Sequence, residues 1–486
     1  MQRKRSIIGL FWLLTAAAVF AVLCFCGYSD GDDAYFYEYT HSMGFLEYLG
    51  WRYQTWVGRM TAEALVYLTF RLGLWFWRAV NAVMIVLLPA GVLRLAALAA
   101  RVPEGSLMYW KESRPAVASG DYRDMGIGAA AAAAAGYFLM SVWTVGYAAV
   151  WVNGSIFYTW CFTCGVWALM PFAEYLFSTE EPVWGKGGWH VSAEGCRPWK
   201  FAVSVPCALI AAMSIEQMGA VLLVFELLGV WYVLAKWHRL QPLLAVQTAV
   251  TFAAFLVLFL APGNAVRTAQ EIINWMPQYA GMRFSEHLFL LVQWLLSSFA
   301  NENKMFLCGI WIAGIMLLMQ REKKGFWDWM LAALAAVFTA SFLLSLTGIS
   351  VLSDMGLHLD ITARVDAVPT AAQLTEQNLF AMGWCGAALL FTPVFLFRAS
   401  GSQPVLLLAY LAGIASEAIM FFSPTMYASG ARVYYLTDLL YLFVMLALSF
   451  GLSGEKSRRR YYGIVIIAAA LHFLVQFPVV LHFIKF

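Results

Sequence analysis

MQRKRSIIGLFWLLTAAAVFAVLCFCGYSDGDDAYFYE, residues 1–38, passes from a basic run through an unbroken apolar one to an acidic one. Arg3, Lys4 and Arg5 precede an apolar stretch from Ile7 to Gly27; Asp30, Asp32 and Asp33 follow it. A hydrocarbon core takes about 20 apolar residues per helical crossing, and cytoplasmic flanks collect Lys and Arg. The stretch exceeds the roughly 7–15 residues of a secretory h-region. It therefore predicts an uncleaved first transmembrane helix with the N-terminus in the cytoplasm.

The rest of the chain repeats this pattern. Of 486 residues, 62% are hydrophobic and 12% charged, with a mean hydropathy of +0.71. Soluble proteins carry about 25% charge, so a soluble fold is excluded. Apolar runs this long also exclude the alternating strands of an outer-membrane barrel. The expected spans are 7–27, 76–98, 126–147, 157–177, 201–215, 217–235, 243–261, 304–320, 327–349, 378–397, 404–422, 434–452 and 461–483. That predicts an all-α polytopic membrane protein of about 13 helices, each near the 20 residues of a crossing, as one transmembrane domain over 1–486. The apolar segment 284–299 would break the parity, and reads as an interfacial or re-entrant helix. Basic clusters at Arg94–Arg123, Lys186–Lys200, Lys236–Arg239, Arg321–Lys324, Arg398 and Lys456–Arg460 are placed in the cytoplasm. The exofacial loops are then 28–75, 262–303 and 350–377. The eight Cys form no readable disulfide or zinc framework; the pair Cys161 and Cys164 lies within a span and reads as packing.

Exofacial cations run against the topological bias, and here they are mainly Arg: Arg52, Arg59, Arg71, Arg78, Arg267, Arg283, Arg364 and Arg432. A guanidinium offers a planar fork to phosphate or carboxylate. Headgroup contact or ion pairing with exofacial acids explains any one of them; an anionic ligand explains the set. Asp32 and Asp33 admit two readings as well. One acid at a helix start caps it and suits the dipole, whereas adjacent carboxylates can act as a general base or hold a divalent cation such as Mg or Mn. Tyr35 and its neighbours, Trp51 and Trp56 make either an interfacial aromatic belt or platforms for sugar rings. Farther on, Trp151 to Trp160, including Tyr158, enters a span from outside, and Asn153-Gly154-Ser155 matches a glycosylation sequon. Glu216-Gln217 sits at an outer turn between apolar helices, where an ionisable group is a functional candidate; Glu226 and Glu417 invite the same reading. Ala261-Pro262-Gly263-Asn264 ends a helix and presents Asn264 and Arg267 outward.

In this order the motifs resemble the GT-C superfamily, membrane glycosyltransferases that use polyprenyl-phosphate-linked sugars, and within it the bacterial O-antigen glucosyltransferase-like branch. The likeness rests on Asp32-Asp33 with the aromatics after it, Gly58-Arg59, Trp151–Trp160, Ser214-Ile215-Glu216-Gln217, and Ala261–Asn264 with Arg267. It covers roughly the first 270 residues; beyond them only the multi-helix architecture is alike, and the soluble C-terminal domain of some members is lacking. The resemblance implies a catalytic base at Asp32 or Asp33 and a donor phosphate held among exofacial Arg residues. It also implies an inverting transfer from a polyprenyl-phosphate sugar to an envelope glycan or lipid, outside the bacterial inner membrane. Membrane lipids are the other expected partner, and no nucleic acid is expected. A polytopic transporter or lipid-glycan flippase is the alternative, and would show ionisable groups near the midplane and internal repeats. An exofacial acyltransferase would want a His base, for which the first loop offers only His41.

The charge asymmetry gives the first prediction. A cysteine at residue 44 should react with an impermeant maleimide on intact cells, and one at residue 115 should not. Labelling at 115 without labelling at 44 would invert the topology.

Overall fold

The computed structural model describes residues 2–100, 126–177, 198–347 and 376–484. Arg364, nearly all of the loop 350–377 and most of the two long basic loops lie outside these. Among the described residues the structure is helical throughout, with no strand. In chain order the helices are α1 (Gln2–Leu23), α2 (Asp32–Ser42), α3 (Phe45–Thr55), α4 (Met60–Leu72), α5 (Leu74–Ala99) and α6 (Ile127–Leu139). There follow α7 (Val142–Val150) and α8 (Val152–Leu176), both with a π-helical stretch. Next come α9 (Pro198–Ala212), α10 (Glu216–Trp237), α11 (Pro242–Phe259), α12 (Gly263–Trp275), α13 (Phe284–Asn301) and α14 (Lys304–Met319). The chain closes with α15 (Phe326–Leu344), α16 (Glu376–Ala399), α17 (Pro404–Ala418), α18 (Tyr435–Phe450) and α19 (Glu455–Ile484).

Ten helices among the described residues are long and apolar enough to cross a membrane, or up to 12 if each of two bent pairs is one span. These are the dimensions of a multi-pass membrane protein. The expected spans that fall outside the ten have a common cause: the chain breaks or stops short. α6 and α7 meet at 96°, and α13 and α14 at 66°. α9, the expected span 201–215, has only 15 residues. The segment 284–299 is indeed helical, as α13, and ends at the second break.

Two ends of the bundle can be told apart by their charges. At one end Glu174 joins Arg94 and Lys200, while Asp328 joins Arg321 and Arg398, each at 2.8 Å. At the other end stand the short helices α2, α3 and α4 of the segment 28–75. Arg78 ties this end together by donating to the carbonyls of Leu23 and Cys26 at 3.1 and 2.7 Å; a cation there satisfies the open end of α1 and suits its dipole. The alanine run of α6 packs inside, with Ala129, Ala130, Ala132, Ala133 and Ala135 all buried. Cys161 and Cys164 are buried and unbridged.

One crossing positions the site. The backbone at 56–58, between α3 and α4, lies directly on the end of α11 and the start of α12. A Cβ on Gly58 would sit 2.4 Å from the carbonyl oxygen of Leu258, and one on Gly263 would sit 2.4 Å from the Trp56 nitrogen. Both obstacles are backbone atoms, so neither can swing aside. Gly58→Ala should therefore destabilise the protein by about 1–3 kcal/mol, the usual cost of overpacking, seen as a lower Tm in detergent. Gly50→Ala is the control: nothing lies within 4 Å of its Cβ, and alanine should leave Tm unchanged or raise it.

Candidate functional site

α2 begins at Gly31, whose φ of 94° suits a residue without a side chain, so that Asp32 and Asp33 fall in the first turn. Successive helix residues point about 100° apart, at 3.6 residues per turn. The consequence here is that Asp33 faces inward with Phe36 and Thr40, while Asp32 is exposed. Asp33 accepts from the Ser29 backbone N–H and hydroxyl, both at 2.9 Å, and from the Asn153 backbone N–H at 3.1 Å. Burial raises its pKa above the usual aspartate value; the bonds from Ser29 and Asn153 pull the other way without cancelling it. Asp33 thus joins the first loop to the start of α8.

Arg52 is occupied. Its guanidinium meets Glu63 at 2.9 and 2.7 Å, and the Tyr48 hydroxyl donates to the same carboxylate at 2.6 Å. All three are buried. This pair locks α3 onto α4; breaking such a buried pair costs about 3–5 kcal/mol. Tyr35 packs beside Tyr39 with ring centroids 4.4 Å apart and planes tilted by 43°, and the Trp56 ring lies 5.9 Å from the Arg52 guanidinium, so these aromatics surround the α3–α4 lock.

Arg59, carried onward by the glycine crossing, points the other way. It donates to Glu216 at 2.8 Å, although the two are 157 positions apart, and its Nε is buried without a partner. Arg267 approaches the other oxygen of Glu216 at 3.9 Å. Tyr158 lies within electrostatic reach of both guanidiniums, and Glu271 of Arg267 and Arg432. The Arg432 guanidinium sits 5.5 Å above the Trp151 ring. Burial first, and Arg59 beside it, press the pKa of Arg267 below its usual value, against the pull of Glu216 and Glu271; burial raises that of Glu271. Three cations thus face two acids, and this cluster, the charged chamber, carries a formal excess of positive charge. Beside it Trp151 Nε1 and Asn153 Oδ1 are buried without hydrogen-bond partners.

Directly below Glu216, α10 enters an apolar cleft. Gln217, Val221, Val224, Leu408, Ala412 and Ser416 line its upper part, about 160 Å³. Val221, Phe225, Leu228 and Leu408 continue into a second space of about 150 Å³ that reaches Phe177 and Leu95 near the far end. Val224, Leu228 and Leu408 are exposed at the bundle's outer surface, so the cleft opens sideways.

Of the residues singled out in the sequence, Arg59, Glu216, Arg267, Arg432, Trp151 and Tyr158 converge on this chamber, and Asp33 adjoins it through Asn153. Gln217 instead donates to the Ser416 carbonyl at 2.6 Å, and Asn264 donates to the carbonyls of Leu258 and Phe259 that end α11; both side chains hold helices in place. Glu226 is a buried partner of Gln247 at 2.7 Å. Sequence reasoning missed Glu271, whose signal was its position four residues after Arg267 on an amphipathic helix. It also missed Glu302 and Asp438, two buried acids that join Glu417. Among the described residues no group of three or more His, Cys, Asp or Glu is placed to hold a metal ion.

The two aspartates now separate experimentally. In Asp33→Asn the amide nitrogen would face an N–H donor, leaving a buried group unsatisfied at about 1–3 kcal/mol, so Tm should fall. Asp32→Asn, on an exposed first turn, should change stability by no more than about 0.5 kcal/mol; an equal fall for both variants would contradict the geometry.

No protein-family model, curated protein or solved structure matches this chain.

Proposed function

We propose that this protein is a GT-C-like membrane glycosyltransferase, which moves a sugar from a polyprenyl-phosphate donor to an envelope glycan or lipid at the exofacial face of a bacterial inner membrane. One observation carries the reading: Arg59 and Arg267 meet Glu216 at the first turn of α10, and the next turns of α10 line a laterally open apolar cleft. The ligand that fits both is an amphiphile with an anionic head and a long apolar chain. Arg59 and Arg267 receive the phosphate, and Arg432 with Trp151 and Tyr158 border the sugar. As the glycosidic C–O bond to the phosphate breaks, negative charge grows on the leaving phosphate, and the guanidiniums stabilise it. Asp32 or Asp33 takes the proton of the attacking acceptor hydroxyl, which inverts the anomeric carbon in one displacement. A divalent cation, Mg or Mn, at these aspartates belongs to the same proposal.

The test is the mass of envelope glycans from cells with and without the protein. A single missing sugar per glycan unit is expected on deletion; unchanged glycans sink the reading. In membranes, Arg267→Ala should slow transfer about 10²–10³-fold, as for a lost transition-state donor, and loss of the catalytic aspartate by 10²–10⁴-fold. If Asp33 is that base, its raised pKa places the acid limb of the pH–rate profile above the usual aspartate range, with activity rising as the carboxyl loses its proton.

A second reading has its own support. Glu302, Glu417 and Asp438 lie within electrostatic reach of one another, where the two bent helix pairs meet, and each leaves one buried carboxyl oxygen unpartnered. Ser298 donates to Glu417, and Asn303 to Asp438 at 2.9 Å. Acids at broken helices are what a proton- or cation-coupled transporter uses. Asp438→Asn separates the two readings: transfer that survives it supports the enzyme, and substrate movement that vanishes with it supports the transporter.

A further inference from the structure

α12, Gly263–Trp275, wears its amphipathic pattern inside out. At 3.6 residues per turn, Arg267 and Glu271 share one face, and this face turns inward to the charged chamber. The outward face has an apolar strip, Ala265, Val266, Ala269 and Ile273, with Val266 53% and Ile273 63% exposed. Gln270 and Asn274, bonded to each other at 3.0 Å, mark one edge of the strip. A helix bathed in water would present the opposite arrangement. The strip is also continuous with apolar surface already assigned to lipid: α11, a membrane-length helix, ends in Phe259 and Leu260, 65% and 66% exposed, one turn before α12 begins.

We infer that α12 is an interfacial membrane helix, seated at the boundary of headgroups and acyl chains, and that it forms the wall between the bilayer and the chamber. Its occupant is phospholipid. The apolar strip rests on acyl chains, the Gln270–Asn274 edge faces water, and the inner face carries Arg267. The position of Arg267 is thereby set by the membrane surface as well as by Glu216. The inference rests on the membrane-spanning character of the bundle and not on sugar transfer.

The test is photocrosslinking in nanodiscs of phosphatidylethanolamine and phosphatidylglycerol. Benzoylphenylalanine replaces, one at a time, Val266, Gln270, Ile273 or Asn274, all exposed positions, and Phe259 serves as the lipid-facing control. Phospholipid adducts, read by mass, are expected at 266, 273 and 259 and not at 270 or 274. Adducts at 259 but at none of the α12 positions would overturn the proposal, as would equal yields all round the helix. Dimer crosslinks at 266 and 273 in place of lipid adducts would give the strip to a second copy of the chain and overturn it too. Failure of sugar transfer would leave all these outcomes unchanged, so the two ideas fall separately.

Discussion

Glu216 stands between two guanidiniums, and the arrangement of the whole charged end follows from that meeting. Arg59 and Arg267 repel each other; a shared carboxylate at the first turn of α10 holds them in place, in a position that also suits the helix dipole. The bonds are partly open to solvent, with side-chain exposure of 19% for Arg59 and 32% for Glu216, so their net stabilisation is small. Their importance is positional. Segments from the first loop, α10 and α12 are brought to one point, and a formal excess of positive charge is left there.

Polar and apolar demands are kept apart along the molecule. The buried lock of Arg52, Glu63 and Tyr48 stiffens the short helices before they reach the chamber. Arg78 spends its charge on the end of α1. Below the chamber the lining turns almost wholly apolar within a turn of α10, from Glu216 to Val221. A phosphate could not follow a lipid chain into that cleft without losing its hydration, and the chain gains nothing from the chamber. The boundary between them fixes how deep such an amphiphile would sit.

Much of this was legible in the sequence, and what escaped it has a physical cause. Span positions follow from run length and charge, which are local. The break angles at 140–141 and 302–303 depend on what packs against each half, so single-helix reasoning read 126–147 as one continuous helix where the chain bends by 96°, although it did set 284–299 apart from 304–320. The Arg residues singled out in the sequence look alike as text. Arg52 differs from Arg59 only because Glu63 follows 11 positions later on a helix folded back beside it, whereas the partner of Arg59 is 157 positions away. Asp32 and Asp33 could have been told apart, since Asp33, Phe36 and Thr40 recur at helical spacing and mark the inner face. Glu417 was visible as a costly acid; Asp438 and Glu302, which join it, were not weighed.

The glycine crossing also has a meaning in time. Residues 56–58 have no seat until α11 and the start of α12 have been made, and Arg59 has no counter-ion until Glu216 has. At about 5–20 residues per second of synthesis, a separation of 157 positions amounts to roughly 8–30 s. During that interval the Arg52–Glu63 pair, only 11 positions apart, already has both its partners, while the backbone that meets α11 has none. The Arg59–Glu216–Arg267 meeting is therefore a late product of synthesis, and the cluster is complete only when Arg432 has been added.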